Sequence, residues 1–319
     1  MAITVLLHHV AVRITSPDDD IERRVTRIFQ PSITTQHLPE LEVTVHRMVE
    51  PLPAPAGTPV IQEAGRLAYY LTGDQLVAHF MRWGQLHVDL AHGRYTAHLS
   101  PPGLDTYSVL EDMLIIGLAP LLRRRGLFTI HAFAAAQQDR AVLLVGGMGV
   151  GKTTTGISLL RAGWSLLSND SPLLCLEDDR LLVAAYPGLL SAHDDSLAWF
   201  PELASVLDGP AARHEHTRLK RLFAAEEIYP DVWAASAEPA AVCFPEVVPG
   251  LLQSTLEPVS SRAALITIMP QSIENWDRAL VGSHLDILGR LVETAPAYRL
   301  CLAPDVAALP VLLGGLVSR

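Results

Sequence analysis

No run of apolar residues in this chain reaches the ~18 needed to cross a bilayer as a helix. The nearest, Met113 to Leu122, stops at Arg123-Arg124-Arg125, and Met1 to Ile14 lacks both a basic stretch and a small-residue cleavage site. Cysteine is scarce: Cys175, Cys243 and Cys301 are far apart, odd in number and outside any CxxC or Cys/His metal spacing. That pattern excludes a disulfide framework and fits a reducing compartment. Charge is sparse, at 18% of residues against 49% apolar, which excludes intrinsic disorder. Basic residues are in deficit, 24 Lys+Arg against 34 Asp+Glu for a net charge of −10, so phosphate backbones and anionic lipid are repelled. The expectation is a soluble, cytoplasmic protein with neither nucleic acid nor membrane as its partner.

The length of 319 residues, at roughly 150 per domain, predicts about two domains. The first, residues 1–125, reads as a smaller β-rich α+β domain. It opens with an apolar run from Ile3 to Ile14, turns at Ser16-Pro17-Asp18-Asp19-Asp20, and carries prolines at 51, 53, 55 and 59 that suggest a semi-rigid connection. Leu86, Val88 and Leu90 alternate with polar residues, as do Tyr95, Ala97 and Leu99 beyond the His92-Gly93 turn, which predicts a hairpin with one buried face. Pro101-Pro102-Gly103 should close the β-rich region, with Asp105 or Thr106 capping a helix from about Tyr107 to Arg124. The arginines at its end are expected to be solvated. No period of 20 to 50 residues suggests a repeat fold. From Leu127 short apolar strands alternate with helical segments, so residues 126–319 should form an α/β domain with a mainly parallel mixed sheet.

One motif carries chemistry. Residues 146–153, Gly-Gly-Met-Gly-Val-Gly-Lys-Thr, match G-x-x-x-x-G-K-[ST] completely. The short apolar run Ala141 to Val145 precedes it, and Lys152 to Ala162 reads as a helix that Gly163 terminates. Glycines let backbone N–H groups turn inward, and the positive end of the helix adds to their field. The expected cradle for a nucleotide's phosphates is therefore Gly146, Gly147, Met148, Gly149, Val150, Gly151, Lys152, Thr153 and Thr154. Lys152 would reach the β- and γ-phosphates and Thr153 would ligate Mg²⁺, which makes ATP and Mg²⁺ the expected cofactors. A second strand, Trp164 to Leu167, ends in Ser168-Asn169-Asp170, where Asp170 either faces the metal or caps the turn before Pro172. Glu177-Asp178-Asp179 form a rival acidic cluster, but they read as a hairpin turn.

The stretches Ile130-His131-Ala132, Ala141 to Thr155 and Arg161 to Asp170 resemble the kinase domain of HPr kinase/phosphorylase and its relatives, about 40 residues in all. The resemblance implies a nucleotide-binding fold shared with ATP-dependent phosphoenolpyruvate carboxykinase. Later segments fit its element order weakly: Tyr186-Pro187-Gly188, the basic Arg218-Leu219-Lys220-Arg221, a strand over Ala240 to Phe244, a helix after Ser260-Ser261, a strand at Tyr298 to Cys301, and Ala307 to Leu313. Two departures stand out: Asn169 occupies the place of the first of two family acids, and asparagine accepts no proton at neutral pH. No segment resembles the E-x-R-G-x-G signature of true HPr kinases, nor the L-S-G-G-Q of ABC-type ATPases.

The resemblance makes Lys152, Asp170 and His131 the expected catalytic residues, with Thr153 and Asp170 at the metal. His131 is either a proton carrier or a core histidine held by a carbonyl. Lys220 or Arg221 either stabilises charge on the γ-phosphate or belongs to a solvated basic helix face. His8-His9 and His214-x-His216 are expected at the surface. The function implied is ATP-dependent phosphoryl transfer to a hydroxyl, most simply a serine of a small protein, a peptide or the free amino acid. A nucleotide-binding module with weakened catalysis is the alternative, and homo-oligomerisation is left open.

Overall fold

The opening apolar run contains a turn. In the computed structural model, which describes every residue except 1, 51, 64, 65, 107, 210, 213–218 and 319, it forms a hairpin of β1 (Ala2–Leu7) and β2 (Val10–Thr15) that reverses at His8 with φ 55°. Asp18 then accepts from the backbone N–H groups of Asp20 and Ile21 at 3.0 and 3.1 Å. This caps α1 (Asp19–Phe29), whose Ile21, Val25, Ile28 and Phe29 form one buried stripe. The chain returns as β3 (Leu41–Arg47), parallel to β2. An antiparallel meander follows: β4 (Ile61–Glu63), β5 (Leu67–Thr72), β6 (Gln75–Phe80), β7 (Gly84–Asp89) and β8 (Arg94–Leu99). The eight strands lie in the order β1-β2-β3-β8-β7-β6-β5-β4.

The expected hairpin is β7–β8, with Leu86, Val88, Tyr95, Ala97 and Leu99 buried. The helix after it differs from expectation. Ser100 caps a short α2 (Pro101–Asp105) that takes in the prolines themselves, since proline suits a first helical turn. The chain breaks at Ser108, φ 60°, and α3 begins only at Val109 and runs to Arg123. Tyr107 lies outside the described residues. Arg123 is buried, not solvated.

The chain divides into two units, the first built on Met1–Arg125 and the second on Gly126–Ala211 and Leu219–Arg319. The second contains a nine-stranded sheet. Its strands are β9 (Phe128–Thr129), β10 (Ala132–Gln137), β11 (Arg140–Val145), β12 (Ser165–Ser168), β13 (Leu173–Glu177), β14 (Arg180–Ala184), and three further strands beyond residue 235. Between them fall α4 (Lys152–Arg161) after β11, then β15 (Leu190–Ala192) and β16 (Lys220–Phe223), which pair with each other outside this sheet. The late strands are β17 (Ser236–Val247), β18 (Thr255–Val259) and β19 (Ala297–Leu302). Helices α5 (Ser261–Ile268), α6 (Val281–Thr294) and α7 (Leu309–Val317) complete the unit.

The sheet is mixed, as expected, but it is not mainly parallel. Only β11 with β17 and β17 with β19 run parallel; β12–β10–β11, β17–β14–β13–β9 and β18–β19 are antiparallel. The hairpin expected at Glu177-Asp178-Asp179 is β13–β14; the alternation misled at β10–β11, a second tight hairpin that turns at Gln138-Asp139 with positive φ and needs no helical crossover. Both faces of the sheet are covered. Phe133, Ala135, Val142 and Leu144 pack with Ile157 and Leu160 of α4 and Leu313 of α7. Ala132, Ala134, Leu143 and Val145 pack with Ile268 of α5 and Leu288 and Leu291 of α6. Helix, sheet and helix layers bury residues of both parities along β10 and β11, which explains their unbroken apolar runs.

Among the described residues no helix is long and apolar enough to cross a membrane. His214 and His216 lie outside the described residues. His9 is exposed, its Nε2 3.1 Å from the carbonyl of Arg125.

Candidate functional site

β11 ends at Val145, and residues 146–151 form a loop before α4 starts at Lys152. Glycine is required where the loop meets the helix: Gly151 has φ +103°, and a Cβ there would lie 2.4 Å from Leu302 Cδ1. Gly149 also adopts positive φ. Gly151 caps α4 with no side-chain acceptor, so the first-turn N–H groups stay available at the positive end of the helix dipole.

The direction of the strands gathers the remaining groups. β10 runs antiparallel between β11 and β12, so the start of β10 and the ends of β11 and β12 share one edge. Ala132 pairs with Val145, and the Ala132 N–H donates to the carbonyl of Asp170 at 2.9 Å. His131 therefore sits between the glycine loop and Asp170. Its Nδ1 is 3.2 Å from Asp170 Oδ1 and its Nε2 is 3.3 Å from Lys152 Nζ. The Lys152 ammonium also donates to the carbonyl of Gly147 at 2.9 Å and to that of Gly146. The Lys152 ammonium, which only donates, faces His131 Nε2, and Nδ1 faces the Asp170 carboxylate. The ring nitrogens of His131 thus meet Lys152 and Asp170 side chains.

Lys152 is 9% exposed. Burial pushes its ammonium below the ordinary lysine value; the Asp170 charge pulls it up and the Lys220 charge pushes it down. Asp170 is half exposed at the end of β12, where the Ser168 hydroxyl accepts from the Asp170 and Ser171 N–H groups and shapes the turn. Asn169 points elsewhere. Its Nδ2 donates to the carbonyl of Leu189 at 2.9 Å, and its Oδ1 packs 2.7 Å from where a Cβ on Gly188 would lie. Asn169 thus anchors the 186–190 segment and presents no base to the loop.

Thr153 is half-buried on the first turn of α4, and Thr154 donates to the Ser196 hydroxyl at 3.0 Å. Ser196 carried no sequence signal, since only the fold brings the short helix Asp194–Leu197 to α4. Val247 and Leu302, at the ends of the parallel strands β17 and β19, were likewise silent and now flank Gly151. Met148 is 67% exposed on the loop. The basic segment is a strand, β16, and not the helix face that was expected: Arg221 is bound through Nε and Nη2 to the carboxylate of Asp194 at 3.0 and 3.2 Å. Arg218 lies outside the described residues. Glu177, Asp178 and Asp179 occupy the β13–β14 turn, and Arg290 pairs with Asp179 at 2.8 Å.

No group of three or more His, Cys, Asp or Glu side chains among the described residues could hold a metal. A Mg²⁺ ion asks for less, since it takes one or two protein oxygens together with phosphates and water. The Thr153 hydroxyl and the Asp170 carboxylate are hard donors of that kind.

No family model and no curated protein matches this chain. It is similar to a solved HPr(Ser) kinase/phosphatase from Coxiella burnetii. The two are 15% identical over 60% of this chain and 88% of that chain, with a TM-score of 0.33. At that score the two chains need not share a topology, and the chemistry of the site follows from its own residues.

Proposed function

We propose that the second unit is an ATP- and Mg²⁺-dependent kinase that moves a γ-phosphoryl group to a hydroxyl, most simply a serine of a small protein, a peptide or the free amino acid. One observation carries the reading: a buried lysine, the first turn of α4 and a histidine–carboxylate pair converge on one sheet edge beside a glycine loop. The resemblance of Ile130–Asp170 to HPr kinases supports it. Backbone N–H groups of 146–153 cradle the phosphates, and the Lys152 ammonium exchanges the carbonyls of Gly146 and Gly147 for phosphate oxygens. Thr153 and Asp170 would hold Mg²⁺, which when bound would supply charge neutralisation at the phosphates.

That movement of Lys152 gives His131 its part. With the ammonium on phosphate, Nε2 is released to take the acceptor hydroxyl proton while Asp170 holds Nδ1–H. The acceptor oxygen bonds to phosphorus, the bond from phosphorus to the β–γ bridging oxygen breaks, and ADP leaves. Because Asn169 is committed to Leu189, the base function falls to the His131–Asp170 pair.

The test is titration of the pure protein with Mg-ATP and Mg-GTP, followed by single turnover with labelled ATP and serine-bearing acceptors. Transfer that is lost in His131→Gln, with nucleotide affinity retained, is expected. Binding without transferred label would favour a nucleotide-binding module, and absence of binding would remove the phosphate cradle altogether.

A further inference from the structure

The strand that delivers His131 is short and lies at the margin of its sheet. β9 pairs with β13 at Phe128–Leu174 and Thr129–Leu173, and it ends the strand order on that side. The Ile130 N–H donates to the carbonyl of Pro172 at 3.2 Å, which makes Thr129–Leu173 a non-hydrogen-bonded pair of the ladder. The carbonyl of Thr129 therefore points away from β13, out of the sheet edge, where a packed layer has to supply a donor for it. Helix α6 supplies one. His284, on the first turn of α6 and 1% exposed, sets its Nε2 3.1 Å from the Thr129 carbonyl, and its ring centroid lies 5.2 Å from that of Phe128. A carbonyl only accepts, so the Nε2–H donates.

Along the same helix Ile287, Leu288 and Leu291 turn apolar side chains to the sheet. A leucine at 284 would fill the space equally well and leave the Thr129 carbonyl without this donor. Two residues beyond Thr129, about 6–7 Å along an extended chain, stands His131. The groups that its ring meets are held by other bonds: the Ser168 hydroxyl shapes the turn at Asp170, and Lys152 is fixed by α4 and by the carbonyls of Gly146 and Gly147. The strand carrying His131 has a ladder of two residues on one side and His284 on the other. Loosening β9 would thus carry the imidazole away from Asp170 and Lys152 while both stay in place. An error of about 1 Å at a reacting group costs on the order of 10²-fold in rate.

Resting on the reading of His131 as the base for phosphoryl transfer, we infer that His284 is a positioning residue: through the Thr129 carbonyl it holds β9 and so sets the His131 ring against Asp170, acting on the transfer step and not on nucleotide binding.

The experiment compares the full chain as wild type, His284→Leu and His284→Gln, the last because its side-chain amide can donate where the imidazole does. Mg-ATP affinity is measured by calorimetry, transfer by single turnover with labelled ATP, and the His131 ring by nuclear magnetic resonance of protein labelled at the histidine ring nitrogens, its signal assigned by its absence from His131→Gln. His284→Leu is expected to keep Mg-ATP affinity within about twofold, to lose about tenfold or more in the rate of transfer, and to shift the His131 ring signals. His284→Gln should recover most of the rate and return those signals toward their wild-type positions. Unchanged His131 signals in His284→Leu, or a loss of Mg-ATP affinity in parallel with the loss of rate, would overturn the positioning role and leave the cradle standing. Wild-type protein that binds Mg-ATP and transfers no label would sink the kinase reading instead; the ring signals would then still decide whether His284 places His131. If His284→Leu melts below the assay temperature, His284→Asn, whose shorter amide stops short of Thr129, is read against the same outcomes.

Discussion

Replacing Asn169 by Asp restores the acid that the HPr kinase resemblance calls for, and the geometry forecasts harm. The Asn169 Nδ2 donates to the Leu189 carbonyl at 2.9 Å. An aspartate there sets a carboxylate oxygen against a carbonyl oxygen, removes the donor and leaves the carbonyl unsatisfied. A lost hydrogen bond costs about 1 kcal/mol and a buried orphan about 1–3; since Asn169 is half-buried, roughly 1–2 kcal/mol is the reasonable total. For a domain of this size the melting temperature falls about 2–4 °C per kcal/mol. The sign with pH is diagnostic. The charged form faces a carbonyl, so the introduced carboxyl has its folded pKa above the unfolded value; the deficit is full above that raised pKa and shrinks as pH falls through it, when the protonated acid donates to Leu189. Gly188→Ala should act in the same direction, because its Cβ would lie 2.7 Å from Asn169 Oδ1. Melting curves of Asn169→Asp and wild type between pH 7.5 and 4, paired with single-turnover transfer, decide it. A variant as stable as wild type at neutral pH that also transfers faster would refute the anchoring role and show that a missing base limits the rate.

Lys152→Met should lose on the order of 10²-fold or more in transfer; unchanged turnover in single-turnover transfer would remove the glycine loop from the mechanism. Gly156→Ala should destabilise by about 1–3 kcal/mol, since its Cβ would meet the Phe133 ring at 2.3 Å and overpacking exceeds the gain of ~1 kcal/mol in helix propensity; adding Phe133→Leu should recover most of the loss, as denaturant midpoints would report. In the first unit, His79, His87 and His98 lie on one polar face of the sheet, with the His46 and His98 rings stacked at 5.4 Å. Burial lowers all three pKa values below that of an unfolded histidine, so the unfolded chain binds more protons and stability should fall as pH drops through about 6.5. A melting temperature flat from pH 7.5 to 5.5 in His79→Gln/His87→Gln/His98→Gln, against a declining wild type, is the expected outcome.

Much of this was readable before any coordinates, wherever the causes are local. The glycine loop, the strand before it and the helix after it are set by the positions of glycine, Lys152 and a short apolar run, and they lie at Arg140–Val145 and Lys152–Arg161. The β7–β8 hairpin follows from period-two alternation about a glycine turn, and α5 begins where Ser260 caps it. The antiparallel β13–β14 pair was readable in the Asp178-Asp179 turn, but the direction of β10 was not, because the two-residue turn at Gln138-Asp139 leaves the same apolar pattern as a crossover.

The chemistry divides along the same line. Composition, spacing and a contiguous motif name the residue types that can cradle phosphate, since those requirements are met within eight consecutive positions. The partners that give the residues their work are separated by long stretches of chain: His131 between Lys152 and Asp170, Asn169 against Leu189, Arg221 on Asp194. A hydrogen bond depends on distance and direction to within fractions of an ångström, and only the packed sheet, through the register of β10 on β11 and β12, brings such groups to that accuracy.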